Sequence, residues 1–167
     1  SIDSPPVVSS IDVTEVDSQA GGNQTIVITG DNFQSGATVT FVGASGTNFN
    51  ASTVTVDSVT QITAVAPKAS FLNAQEPYGV KVTNQSGLSA TLASQINVDN
   101  SPAWQTASGT IYSGNDLTDV SVTVSATDAD GDTVAYSIQS GSLPGGLSLN
   151  SSSGAITGTP SGVSSDT

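Results

Sequence analysis

The sequence has no cysteine, no methionine and no histidine, and its only basic side chains are Lys68 and Lys81. Each absence closes off a class of function. Without Cys there is no disulfide framework, no thiol nucleophile and no thiolate metal centre. Without His the usual general base and the commonest transition-metal ligand are missing. Two lysines against 14 acidic residues leave a net charge of −12 at pH 7. A nucleic-acid binder needs many more cations to neutralise phosphates. Nowhere do about 18 apolar residues follow one another, so no helical bilayer span is encoded, and no basic amphipathic face suits a membrane surface. Aromatic residues make up only 5% of the chain, with a single tryptophan.

What is present is small, polar and β-branched. Ser and Thr together supply 49 of the 167 residues, Gly 17 and Asn 10. At about 150 residues per domain the length allows one or two domains. Short runs alternate apolar with polar residues: Thr25-Ile26-Val27-Ile28-Thr29, Thr38-Val39-Thr40-Phe41-Val42, Thr53-Val54-Thr55-Val56 and Val120-Ser121-Val122-Thr123-Val124. Period-two alternation with β-branched residues suits a half-buried strand. No long segment has the i, i+3, i+4, i+7 spacing of an amphipathic helix. Turn clusters separate the runs, among them Gly30-Asp31-Asn32, Asn84-Gln85-Ser86-Gly87 and Asp130-Gly131-Asp132.

The spacing predicts seven strands near Val7–Val13, Gln24–Gly30, Ala37–Val42, Thr53–Val59, Gln61–Ala66, Tyr78–Thr83 and Ser89–Val98. A second set is expected near Ser101–Ala107, Leu117–Ala126, Val134–Gln139, Leu147–Asn150 and Ala155–Gly158. The fold class is therefore all-β: two tandem β-sandwiches, one over residues 1–98 and one over 99–167. Pro102 restricts the junction Asn97–Pro102, so a stiff linker is expected. The second set lacks its last strand, because the polar run Ser161–Thr167 has little to bury. An open sheet leaves backbone groups unpaired. The natural protein is expected to continue beyond Thr167, in preference to another chain supplying the strand.

Two resemblances support this division. Pro5-Pro6-Val7-Val8-Ser9-Ser10-Ile11, the run from Gly21 to Phe33, Gly36-Ala37-Thr38-Val39-Thr40-Phe41, the strand ending at Pro67, and Tyr78 to Gly87 occur in the order of the IPT/TIG pattern. Residues 5–98 thus resemble that family of immunoglobulin-like sandwiches, found in surface receptors, bacterial adhesins, phage virion proteins and some transcription factors. Within this pattern Gly30 ends a buried strand and Phe33 folds back into the core. Residues 101–160 resemble the putative-Ig and dystroglycan-type cadherin-like modules of large surface proteins. The carrying residues are Pro102-Ala103-Trp104, Val124 to Asp132, Tyr136-Ser137-Ile138, Ser140 to Leu149, and Gly154 to Pro160. In that pattern Leu147, Leu149 and Ile156 point inwards and Trp104 is expected to plug one end of the core.

One constellation carries chemistry. Asp128-Ala129-Asp130-Gly131-Asp132 places alternate carboxylates on an extended stretch entering a turn, and Ca²⁺ takes 6–8 oxygen ligands. It is not an EF-hand, since Gly131 is fourth rather than sixth and no Glu closes a twelve-residue loop. The cadherin-like resemblance implies calcium held between domains by such turns and by an Asp-Asn-x-Pro linker, which Asp99-Asn100-Ser101-Pro102 matches loosely. The candidate ligands are Asp128, Asp130, Asp132 and Asp99, with Asp116 and Asp119 as possible additions. The same residues also read as a solvated hairpin in which Asp-Gly forms the turn. If bound, calcium would neutralise charge and stiffen the junction.

Catalysis finds no support. The only glutamates, Glu15 and Glu76, lie in turn-like surroundings, and a glycosidase needs two acids facing each other across a cleft. Ser151-Ser152-Ser153 has no base nearby. Four Asn-x-Ser/Thr sequons, at Asn23, Asn50, Asn84 and Asn150, are unsurprising in a chain so rich in Ser and Thr.

These readings converge on a non-catalytic structural or adhesive module of a larger extracellular or virion protein: a phage fibre, a decoration protein or a bacterial surface adhesin. The absence of Cys suits a bacterial or phage origin. Expected partners are other domains of the same chain, proteins or cell-surface glycans, and further copies in a homo-oligomer or virion, with no nucleic acid and no membrane insertion. The competing class is a carbohydrate-binding accessory module of a secreted enzyme. That class needs an exposed platform of coplanar rings, for which only Trp104, Tyr78, Tyr112 and Tyr136 are available.

Overall fold

A computed structural model describes residues 3–115 and 117–162. Strand accounts for 47% of the chain and helix for 4%, so the fold is all-β. The chain divides into two compact units, with the boundary between Asn100 and Ser101.

The first unit is a sandwich of two sheets. Its strands are β1 (Val7–Ile11), β2 (Glu15–Asp17), β3 (Asn23–Asp31), β4 (Thr38–Val42), β5 (Asn48–Asn50), β6 (Thr53–Ser58), β7 (Gln61–Pro67), β8 (Tyr78–Thr83) and β9 (Ser89–Asp99). One sheet has the order β1-β3-β7-β6, the other β2-β9-β8-β4-β5. All pairs are antiparallel except β2–β9, where Glu15, Val16 and Asp17 lie beside Asn97, Val98 and Asp99 in parallel. The chain crosses between sheets at Asp12. Its carboxylate accepts the Val27 amide at 2.7 Å, and its own amide donates to the Val27 carbonyl. A single side chain thereby satisfies the backbone at the point where β1 leaves its ladder.

Alternation does what the sequence pattern demands. In β3 Ile26 and Ile28 are buried while Thr25 and Thr29 face solvent. Ile62, Ala64 and Ala66 of β7, Val39 and Phe41 of β4, and Val80 and Val82 of β8 complete the inner faces. At one side of this core Phe41, Phe49, Phe71 and Tyr78 form an aromatic cluster with ring centroids 4.9–5.6 Å apart. Most of these pairs meet edge to face, the arrangement the ring quadrupoles favour. Phe71 reaches the cluster because the chain after Pro67 coils into a short 3-10 turn, Lys68–Ser70. Gly30 is required for a reason other than turn conformation. A Cβ there would lie 1.8 Å from the Val7 carbonyl oxygen and 2.6 Å from the Phe33 ring. Its lack of a side chain lets β1 and Phe33 close over the sheet edge.

The second unit has two small antiparallel sheets. β10 (Ala103–Trp104) pairs with β12 (Ala126–Thr127), and β14 (Ala155–Ser161) lies between β11 (Val120–Thr123) and β13 (Gly145–Leu149). Glycines set its corners. A Cβ on Gly146 would meet the Thr159 carbonyl at 2.1 Å, and one on Gly158 the Gly146 carbonyl at 2.0 Å. Only hydrogen allows β13 and β14 to approach so closely, with a bulge between Gly145 and Leu147. Leu147 and Leu149 are half-buried and Ile156 is buried, as the alternation implies.

Two expectations fail in this unit. Val134–Gln139 forms no strand: Val134 and Tyr136 are half-buried and Ile138 is exposed, so no continuous apolar face repays a ladder. Tyr136 alone anchors the segment, its amide donating to the Ser151 carbonyl and its hydroxyl accepting the Ala126 amide. Trp104 does not plug a core. It is 64% exposed, resting against Tyr136 with ring centroids 5.9 Å apart.

Candidate functional site

Three loops of the first unit meet at one end of its sandwich. They are Asn32–Gly36 between β3 and β4, Val59–Thr60 between β6 and β7, and Asn84–Leu88 between β8 and β9. Asn84 is the one buried polar residue among those described. Its carboxamide nitrogen donates to the Asn32 carbonyl at 2.8 Å, and its carboxamide oxygen accepts the Gln34 amide at 3.2 Å. Its backbone amide donates to Leu88 and its carbonyl accepts Gly87, closing the hairpin. The third loop is tied in through Phe33, whose amide donates to the Val59 carbonyl at 2.9 Å. A shallow cavity of about 350 Å³ lies beside these loops, lined by Asp3, Asp31, Asn32, Phe33 and Val59 among others. The surface offers carboxylates, amides and two apolar side chains on a fixed frame. It can bind by shape and hydrogen bonding.

The structure places the expected calcium residues in both units. Asp99 belongs to the first unit, opposite Asp17 in the β2–β9 ladder. Asp128, Asp130 and Asp132 lie in the second unit. There one Asp128 carboxylate oxygen accepts the amides of Asp130 at 2.9 Å and of Asp132 at 3.4 Å. Gly131 adopts φ 83° and donates back to the Asp128 carbonyl. The geometry is that of an Asp-closed turn. Among the described residues no three acidic side chains stand together as a metal-holding group. Asp119 accepts the Thr159 hydroxyl, and Asp116 lies outside the described residues.

The remaining candidates are structural. Glu76 ties the Asn73 side chain to the Val98 amide. Glu15 sits in the β2 ladder. Asn150 accepts the Ser152 and Ser153 amides, so the serine run is a capped turn. Of the sequon asparagines, Asn84 is enclosed while Asn23, Asn50 and Asn150 are exposed. Three coplanar exposed rings are not found: Tyr78 is buried, and Trp104 and Tyr136 are inclined at 55°. Tyr78 instead accepts the Leu72 amide at 2.9 Å through its hydroxyl, and burial raises its pKa above the usual phenol value. The loop lock at Asn84 is the feature sequence reasoning missed. An Asn after a strand is ordinary turn chemistry, and nothing local distinguishes one that reaches back fifty residues.

Two β-sheets packed face to face, with β2 crossing to the far sheet and pairing in parallel, define an immunoglobulin-like sandwich. Comparison with known proteins makes this specific. Residues 6–98 match the IPT/TIG domain model, and the chain belongs to that family. Residues 102–167 match the model described as "Putative Ig domain". No curated protein matches the sequence. Among solved structures, the titin I-band fragment I67-I69 is similar with a TM-score of 0.50 and 11% identity, covering 96% of this chain and 57% of that one. The insect immune protein hemolin is similar at 14% identity and a TM-score of 0.42, covering 93% of this chain and 40% of that one. The chain spans little more than half the length of the titin fragment, and at such identity the likeness shows the fold alone. Domains of these families typically mediate adhesion or serve as spacers, are generally non-catalytic, and are typical of extracellular or surface proteins. No helix among the described residues is long and apolar enough to cross a membrane.

Proposed function

We propose that this chain is a non-catalytic spacer and recognition scaffold within a larger extracellular or virion protein, of the phage fibre, decoration-protein or bacterial adhesin kind. The observation that carries the reading is the loop end of the first unit, held to the sandwich by the buried Asn84 carboxamide. Loops fixed in advance lose little entropy on binding, which favours recognition by shape. The net charge of −12 suits an exterior where ions screen it and non-specific contacts are suppressed. The test is location. Antibodies raised against the 167-residue chain should label the outside of intact cells or particles of the source. Labelling confined to the soluble interior would contradict the proposal, as would turnover of any substrate.

A further inference from the structure

Among the described strand pairs of the first unit, only β2–β9 is parallel. It joins a strand near the start of the unit to the strand through which the chain leaves it. Val16 lies beside Val98 in this pair, and each is 1% exposed. The Asn97 amide donates to the Thr14 carbonyl at 2.9 Å, and the Ser18 amide to the Asp99 carbonyl at 3.2 Å. One residue further, the Ser18 hydroxyl donates to the Asn100 carboxamide oxygen at 3.1 Å. We infer that this pair makes the first unit a tension-bearing link, in which a pull between chain entry and chain exit is resisted by shear along β2 and β9.

Strand direction decides how a pair yields. In an antiparallel hairpin the two free ends lie side by side, and a pull on them opens the hydrogen bonds one after another. In a parallel pair the entering end of one strand and the leaving end of the other lie at opposite ends. The same pull then slides one strand along the other and loads every bond together. The chain enters β2 from Thr14 and leaves β9 at Asp99, which is this second arrangement. β9 has further holds. The Val98 amide donates to the Glu76 carboxylate at 2.5 Å, and β9 is laddered to β8, with Ile96 opposite Tyr78. Upstream, β1 is laddered to β3 and the Asp12 carboxylate holds the Val27 amide. Tension arriving through β1 is therefore shared with β3 before it reaches β2. Such a device serves a chain stretched between two anchored points. That role goes beyond spacing and recognition and does not depend on the loop end of the first unit.

Single-molecule force spectroscopy of the 167-residue chain tests it. A chain without cysteine accepts one handle at a single engineered thiol and the other at its C-terminus. Thr14→Cys and, separately, Gln19→Cys place the first handle at opposite ends of β2, both at exposed sites. From Thr14 the pull shears the pair; from Gln19 it peels the pair apart starting at Asp99. Either way the first unit should open in a step of about 300 Å, the length of roughly 80 residues drawn out. The second unit begins only at Ser101 and releases less chain. At equal loading rate the first-unit step should need at least about twofold more force from Thr14 than from Gln19. Urea unfolding of both variants should match that of the unaltered chain, which leaves pulling direction as the difference. Equal forces from the two positions, or a weaker step from Thr14, would overturn the inference. So would forces that follow the variants' urea stability and not the direction of pull. None of these outcomes depends on where antibodies label the source.

Discussion

The carboxamide of Asn84 donates to the carbonyl of Asn32 at 2.8 Å across 52 positions of sequence. With the Gln34 amide it makes a two-point clasp between neighbouring loops. The amide serves both partners at once, whereas a carboxylate cannot donate and an aliphatic side chain can do neither.

Replacing Asn84 by Ala should therefore cost about 2 kcal/mol, because an enclosed donor and acceptor lose their partner at once. Urea unfolding checks the magnitude. Asn84→Asp should be at least as costly at neutral pH, since it buries a charge and faces a carbonyl with no proton to give.

Tyr78 supplies a pH dependence of definite sign. Its folded pKa lies above the ordinary value of 10.0 because burial disfavours the phenolate. The unfolded chain thus ionises first. The contribution is fully present below pH 10 and is lost as pH rises past that point towards the folded pKa. Tyr78→Phe should remove this alkaline loss while lowering stability at neutral pH by about 1–2 kcal/mol, because the Leu72 amide loses its acceptor. Melting temperatures measured between neutral and strongly alkaline pH separate the two effects.

Much of this fold was legible from residue order. β8 falls on Tyr78–Thr83 as the alternation predicts, and the other long strands of the first unit differ at their ends by one or two residues. Short edge pieces were not legible. Glu15–Asp17 and Asn48–Asn50 are three residues each, too brief to show a period, and they form because a neighbouring strand offers free backbone groups. Val134–Gln139 shows the opposite error, an alternating run that finds no ladder because its face is not buried. At the candidate site the aspartate turn was visible, but its closure by Asp128 was one of two open readings. The Asn84 clasp depends on tertiary approach alone.

Gly30→Ala should detach β1. The added methyl would overlap the Val7 carbonyl, and a backbone atom cannot swing aside. A loss of about 3 kcal/mol or local release of Val7–Ile11 is expected. Substitution of Gly87, where a side chain meets open space, should cost less despite its φ of 87°. Amide exchange at β1 reports the difference.

Calcium should have little effect. The Asp128 carboxylate already closes its turn onto Asp130 and Asp132, and the described acids do not cluster. Millimolar calcium is expected to shift the melting temperature by less than about 1 °C relative to magnesium at equal ionic strength. A shift of several degrees that vanishes in Asp130→Ala would instead establish a calcium site.

The first unit is a fully packed frame that fixes its own loop end, while the second, among its described residues, is sparsely cored. Of the buried hydrophobic residues described, only Val120 and Ile156 lie in the second unit. Native-state hydrogen exchange read residue by residue tests both halves together. The amides of β3, β7 and β8 should exchange slowest. Gln34, though in a loop, should be protected until the first unit opens, and the second unit should exchange well before it. Gln34 exchanging like an unstructured amide, or the second unit outlasting the first, would overturn this picture of the two units.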